Sequence, residues 1–497
     1  MNLAYLNSPE LSFYSCAQEQ LEHMIAYLDS PTGDDCEHGE IEKYINEQGY
    51  ELLRRLLQGY LDSKAAKEEC LPNVQSITGV QLNHIRSKTQ RKITSLFGTV
   101  IVTRIQYSQR NAAAQAPLDA ELNLAGDRYS DGVRHRIAQE AIRGSFDDAI
   151  ESVNTTTGAS VPKRQSLNMV QDVATDFDAF YQKNRFEVPE NTPDLLVLSF
   201  DGKGIVMRPE GLRACTQKAA LKSKKLNSRL SPGEKKDRKR MAQVAAVYTT
   251  KPHIRSAESV MNISDDDDTI KPFRTPPRNK RVWASVEREA EVVIEEAFYE
   301  ALCRDPQQQR QWIILIDGHP HQLKLIKRVM KRLQVKATVV MDFIHVLEYL
   351  WKAAWCFFDK GDEAVEKWVA ERALKILTGQ CSQVAKGIRI SAQRRKIVKR
   401  EGVDKCATYL LKNKSRLQYR EALAAGFPIA SGVIEGACRH LINDRLDITG
   451  ARWSLAGAES ILKLRSLKSS GDFDAYWSFH KEQSKQRLYG FLTAAVK

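Results

Sequence analysis

Three aspartates stand where short apolar runs stop. Asp201 follows Leu195 to Phe200, Asp317 follows Trp312 to Ile316, and Asp342 follows Ala337 to Met341. Carboxylates are hard oxygen donors, suited to divalent cations of the magnesium type. Runs this short and this rich in Val, Ile and Leu read as strands buried on both faces. Helical patterns fill the chain between the second and third runs, so those two strands are expected to be parallel neighbours joined by a right-handed crossover. Parallel strands bring their C-terminal ends to one edge, where open α/β sheets hold their ligands. If the first run shares that orientation, the three acids meet at one rim, repelling each other unless a cation holds them. An acid followed by glycine also closes a strand as an ordinary turn. Asp131-Gly132, in a polar stretch with no strand before it, shows how little the pair means alone. The repeated placement is the signal.

Asp342 leads into Phe343-Ile344-His345. On a helix starting there, Asp342 and His345 are three apart and share a face. Either both reach the rim, or His345 orients a neighbouring acid from behind.

The rest of the chain must position these groups. Its 497 residues allow two to four domains, and a net charge of +13 with a pI near 9.2 suits a polyanionic partner. The nine cysteines include no Cys-x-x-Cys pair, which argues for reduced thiols in a cytosolic setting and against a disulfide framework or zinc finger. Met1 to Ser15 lacks the features of a signal peptide. No apolar stretch nears the roughly 20 residues of a membrane span, so no membrane partner is expected.

Five regions are expected. Residues 1–75 are helical, with Ile41, Tyr44, Ile45, Leu52, Leu53, Leu56 and Leu57 at helical spacing, for packing or self-association. Residues 76–185 form an α+β DNA-binding region. There, Ile85 to Tyr107 turns to a period of two, with Gly98 as a bend. His84, Arg86, Lys88, Arg91 and Lys92 make it either a basic ribbon along DNA or an edge strand guarded by charge. Helical patterns over Arg134 to Arg143, Phe146 to Val153, and Pro162 to about Tyr181 fit a helix-turn-helix plan, with Lys163, Arg164 and Gln165 facing DNA. A basically decorated helical bundle is the alternative.

Residues 186–358 hold the first part of an α/β core. Gly204 to Arg208 and Met241 to Tyr248 read as further strands. From Lys218 to Arg240 ten Lys or Arg face two acids. Lys222, Lys224, Lys225, Lys235, Lys236, Arg238, Lys239 and Arg240 are therefore candidates for phosphate contact, or a solvated loop. Ser264 to Arg281, with Asp265 to Asp268 and three prolines, reads as a linker. Glu287 to Leu302 is an amphipathic helix, residues 359–427 are an all-α insertion, and 428–497 complete the core with a helical tail. In that last part Glu435 precedes Arg439 by four, an ordinary helix pair, and spacing alone does not separate it from Glu459.

Several stretches jointly resemble the insertion-sequence transposases of the Kra-four family. They are Ser199-Phe200-Asp201-Gly202-Lys203-Gly204-Ile205-Val206-Met207-Arg208, Ile316-Asp317-Gly318, and Val340 to Trp351 with Asp342-x-x-His345. Gly432-Val433-Ile434-Glu435-Gly436-Ala437-Cys438-Arg439-His440 and Thr449-Gly450-Ala451-Arg452-Trp453 complete the set. The resemblance runs from about Leu56 to Phe479. It implies a ribonuclease-H-like catalytic core with Asp201, Asp317 and Glu435 as the three acids. Asp342 and His345 are implied as further active-site residues. Two Mg2+ ions (Mn2+ as a substitute) are implied, with Asp201 bridging both, Asp317 on one and Glu435 on the other. The implied reaction is cleavage at the transposon end, with the freed 3′-hydroxyl then attacking target DNA. Arg439, Arg445 and Arg452 are implied DNA contacts, and Trp453 is either a stacking platform for an unpaired base or a core residue. Double-stranded DNA, a homodimer or larger assembly, and a cytoplasmic, nucleoid-associated setting follow from the same likeness. A nuclease or resolvase on the same core, or a DNA-binding protein whose acids no longer act, are the alternatives.

Overall fold

The computed structural model describes residues 11–184, 189–222, 238–261, 276–448 and 450–495. The chain divides into two compact units, residues 1–180 with 473–497, and residues 181–472.

The first unit opens on two antiparallel helices, α1 (Ser15–Leu28) and α2 (His38–Ala66). A capping box between Glu37 and Glu40 starts α2 by satisfying its first amides. Strands β1 (His84–Ser95) and β2 (Gly98–Gln109) pair antiparallel, with short β3 (Ala112–Gln115) beside β2. The turn falls at Gly98, whose φ of +124° suits glycine. Of the basic residues open to either reading, Arg91 is turned inward: its guanidinium binds Asp119 at 2.9 Å and the carbonyls of Ala125 and Asp127.

Helices α3 (Asp131–Arg143), α4 (Phe146–Thr156) and α5 (Lys163–Val173) follow. The single helix expected from Pro162 to Tyr181 is instead two: Pro162 caps α5, and α6 (Phe177–Asn184) starts afresh. Asp176, in the break, accepts from His480 at 2.7 Å and Arg487 at 2.5 Å, so its side chain is spent on holding the last helix.

The second unit is built on a five-stranded mixed sheet in the order β6-β5-β4-β7-β8, an α/β architecture. The strands are β4 (Leu195–Val206), β5 (Lys239–Thr250), β6 (Arg278–Ser285), β7 (Trp312–Ile316) and β8 (Thr338–Met341). β5 is antiparallel to β4 and β6, whereas β7 is parallel to β4 and β8. Leu195 to Phe200 and all of β7 are buried, as strands covered on both faces should be. Helix α7 (Ala290–Arg304) lies on one face, where Phe298 stacks on Phe200. Helix α8 (Pro320–Arg332) makes the crossover from β7 to β8.

Two expectations change here. β4 does not stop at Asp201 but runs on through Val206, absorbing the strand expected at 204–208, because β5 continues to pair with it. The expected linker ends early: Arg278 to Arg281 begin β6, where Arg281 pairs with buried Glu300 and lies over the rings of Tyr181 and Trp283. The Asp265 to Asp268 run lies outside the described residues.

After α9 (Phe343–Ala354) comes the all-α insertion, α10 (Ala364–Leu377), α11 (Cys381–Arg394), α12 (Glu401–Lys412) and α13 (Tyr419–Ala424). The chain returns to the sheet with α14 (Gly432–Cys438) and α15 (Leu455–Ser470). The final helix, α16 (Phe473–Ala495), belongs to the first unit and not, as expected, to the core. Among the described residues no helix is long and apolar enough to cross a membrane.

Candidate active site

Strand register puts the acids in a row. Phe200 pairs with Ile316 and Ile316 with Met341 across β4, β7 and β8, and each is followed by an aspartate. Asp201, Asp317 and Asp342 therefore occupy neighbouring positions where the parallel half of the sheet ends, successive strands being about 4.8 Å apart. Alternation along β4 turns Phe200 toward α7 and Asp201 to the opposite face, which α14 covers. There the Cys438 thiol donates to Asp201 Oδ2 at 3.1 Å, and the Gly202 amide donates to Oδ1 at 2.6 Å. Cys438 lies one helical turn after Glu435, so α14 carries that acid to the same end of β4.

The electrostatics agree with this grouping. Partial burial pushes the Glu435 carboxyl up, and the negative charges of Asp342, Glu348 and Asp201 push it further, against the pull of His345. Among the described residues, no Lys or Arg forms an ion pair with Asp201, Asp317, Asp342 or Glu435. The expected Glu435–Arg439 pair is absent: the chain widens into a π-turn over Arg439–Asn443, and Arg439 approaches Asp444 at 3.7 Å instead.

Asp317 and Asp342 differ in how they are held. Asp317 is half-buried; its Oδ1 accepts the His319 amide at 2.9 Å, and its carbonyl accepts the Tyr409 hydroxyl at 3.0 Å. Gly318 follows with φ +93°, a conformation that favours glycine, and a Cβ there would push against the Met341 methyl. Asp342 is fully buried. One oxygen caps α9 through the Ile344 amide at 2.9 Å; the other accepts from the Ser431 hydroxyl and faces His345 Nδ1 at 3.3 Å. Three contacts on a buried carboxylate make Asp342 the anchor of His345. That hydrogen bond, against some burial, raises the His345 pKa.

An open cleft of about 670 Å3 lies beside Asp317, lined by His319, His345, Tyr349, Lys405, Tyr409 and Lys412 among others. Helix α12 of the insertion forms its far wall. Asp201 and Glu435 do not line it.

The donor set, all carboxylate oxygens with mutual repulsion and no ion-paired cation, fits hard divalent ions. Among the described residues, however, no three His, Cys, Asp or Glu side chains are already drawn up closely enough to hold a metal ion. The acids share a sheet edge without forming a finished cage.

The basic residues sort more sharply. Lys163, Arg164 and Gln165 are exposed at the start of α5, with Lys163 on Asp147 at 2.6 Å, and Arg439 and Arg452 are exposed. Lys222 is exposed at the end of a short helix. Arg238 is half-buried, and Lys224, Lys225, Lys235 and Lys236 lie outside the described residues. Three expected DNA contacts have partners within the chain. Arg240 binds the carbonyls of Val286, Gly211 and Glu287, Lys239 pairs with Asp447 at 2.9 Å, and Arg445 is buried over the Trp453 ring. Trp453 is a core residue, its indole N–H donating to the Leu446 carbonyl at 3.1 Å.

Sequence reasoning missed Cys438, Ser431 and Tyr409, whose contacts hold the acids. Only Cys438 carried a signal, its three-residue spacing from Glu435. Comparison with protein-family models and with curated proteins finds no match to this chain.

Proposed function

We propose that this chain is a DNA transposase of the three-acid type, with Asp201, Asp317 and Glu435 holding two divalent ions on a ribonuclease-H-like core. The observation that carries the reading is the acid row, three aspartates in register at one sheet edge with Glu435 brought beside them on α14. The mixed sheet, whose parallel strands end on these acids, supports the same core. Mg2+ or Mn2+ bound there would supply the charge that activates the attacking oxygen and steadies the leaving one in an in-line displacement at phosphorus.

The chain's own residues orient the rest. The Gly202 amide and the Cys438 thiol fix the two oxygens of Asp201, and the His319 amide fixes Asp317. Asp342 holds the half-exposed His345 at the mouth of the cleft, where its raised pKa suits it to carry a proton near the reacting strand. Water would cut the phosphodiester at the element's end, breaking the P–O3′ bond to free a 3′-hydroxyl. That hydroxyl would attack a target phosphodiester and release its 3′-oxygen. Lys163, Arg164, Gln165, Arg439 and Arg452 would contact the duplexes.

The test mixes the protein with linear duplex carrying the DNA that flanks its coding region, a supercoiled plasmid and Mg2+. Joined products are expected, lost by about 10^3-fold or more in Asp201→Asn, Asp317→Asn and Glu435→Gln. Cutting without joining would instead make it a nuclease or resolvase, and normal nicking by Asp201→Asn would sink the assignment.

A further inference from the structure

Helix α2 has three faces, and two are occupied. Leu57, Leu61 and Ala65 pack into a core with Ile93, Val100 and Val102 of the β-ribbon. Tyr44 stacks on Tyr27, Gln48 accepts from Gln20, and Arg55 donates to the Cys16 carbonyl, all toward α1. The third face reads Glu42, Asn46, Gly49, Leu53, Leu56, Tyr60, Ser63 and, at the C-cap, Lys67, alternating four and three apart. That is the seam spacing of a coiled coil. Every one of these residues is exposed or only half-buried, and Leu53, Leu56 and Tyr60 are each about two-fifths exposed.

We propose that this seam is an interface with a second copy of the same chain, the two α2 helices running antiparallel. A two-fold axis requires that if residue i meets residue j, then j meets i. Centred between Arg54 and Arg55, the seam meets that condition at every step. Leu53 faces Leu56 of the other copy, Tyr60 faces Gly49, Ser63 faces Asn46 and Lys67 faces Glu42. Apolar thus meets apolar, large meets small, polar meets polar, and a cation meets an acid. A parallel pairing would set Glu42 on Glu42, Lys67 on Lys67 and Gly49 on Gly49.

Gly49 is the independent observation. A glycine inside a 29-residue helix costs about 1 kcal/mol relative to alanine. Within its own protomer nothing requires it, since a Cβ there would meet no atom within 4 Å. The other copy's Tyr60 ring would fill that space. Ile45, and Leu21 and Ile25 on the neighbouring α1, add exposed apolar surface beside the seam. Of the flanking lysines, Lys64 is neutralised by Glu121 and Lys43 approaches Glu47, so neither opposes the approach.

Sedimentation velocity on the full chain without DNA tests this independently of any strand cleavage. A dimer is expected, and Leu53→Glu with Leu56→Glu should leave a monomer of unchanged helical circular dichroism. Glu42→Lys should weaken the dimer roughly tenfold, and adding Lys67→Glu should restore it. Gly49→Leu should dissociate the dimer yet raise the helix content or Tm of the protomer, and Tyr60→Ala in that background should bring the dimer back. A monomeric wild-type protein at tens of micromolar, a dimer indifferent to Leu53→Glu/Leu56→Glu, or a charge swap that fails to restore would each overturn the proposal.

Discussion

At the N-terminal ends of β4 and β7, Arg310 is buried with its guanidinium on Glu190 at 2.8 Å, on Thr249, and on the carbonyls of Asp194 and Leu195. Asp305 there accepts the Gln309 and Arg310 amides and the Trp312 indole. At the C-terminal ends of the same strands, Asp201 and Asp317 have amide and thiol donors but no Lys or Arg ion pair among the described residues. The carboxyl pKa values diverge accordingly. Burial pushes Glu190 up, but Thr249, Asn279, Arg304 and Arg310 outweigh it and hold the group low, whereas Glu435 is pushed up. A sheet edge that binds its acids internally is serving stability. An edge that gathers acids without Lys or Arg partners has forgone stability, the cost that the proposed metal site would carry.

The contrast between the two edges should be largest at Arg310. Arg310→Met leaves half-buried Glu190 with Arg304 at 3.5 Å as its remaining cation, and should cost about 3 kcal/mol in urea unfolding. A change below 1 kcal/mol would mean that the paired edge is ornamental. Next in size, saturating Mg2+ should raise Tm in the wild type; at a hundred times Kd the gain is about 2.7 kcal/mol. Asp201→Asn should remove that gain, and scanning calorimetry with and without the ion reads it.

The pH response should differ between the edges. A group held low in the fold, as Glu190 is, contributes stability that is present above its unfolded pKa, near 4.3, and lost as pH falls through its folded value. Glu190→Gln should therefore flatten the acid limb of the stability curve below about pH 4.3. Glu435 carries the opposite sign, so Glu435→Gln should slightly raise Tm at neutral pH in metal-free buffer, where the native carboxylate is repelled by its neighbours. An equal loss of Tm in both variants would erase the distinction.

How far the sequence revealed this site follows from the range of the forces involved. Asp201, Asp317 and Asp342 were visible because buried parallel strands must be continuous apolar runs, and each run ends on its acid. Glu435 was not, since a helical Glu has no local mark. What separates it from Glu459 is long-range: Glu459 is buried and accepts the Ser285 hydroxyl and the amides of Val286 and Glu287. β6 was hidden because its first half is charged, and Arg281 finds its compensation in Glu300, far along the chain. Arg240 and Lys239 look like DNA contacts by composition and Arg445 by resemblance, and only long-range partners show that each has a structural contact.

The placement of α16 bears on synthesis. Along the chain the second unit falls between two segments of the first, whose closing contacts, His480 and Arg487 on Asp176 and Tyr489 on the Leu124 carbonyl, come from the last helix. On the ribosome, the unit carrying the acid row is complete before those residues emerge. A message truncated after codon 472 would thus yield the acid-bearing half whole, coupled to a partner domain lacking its clasp.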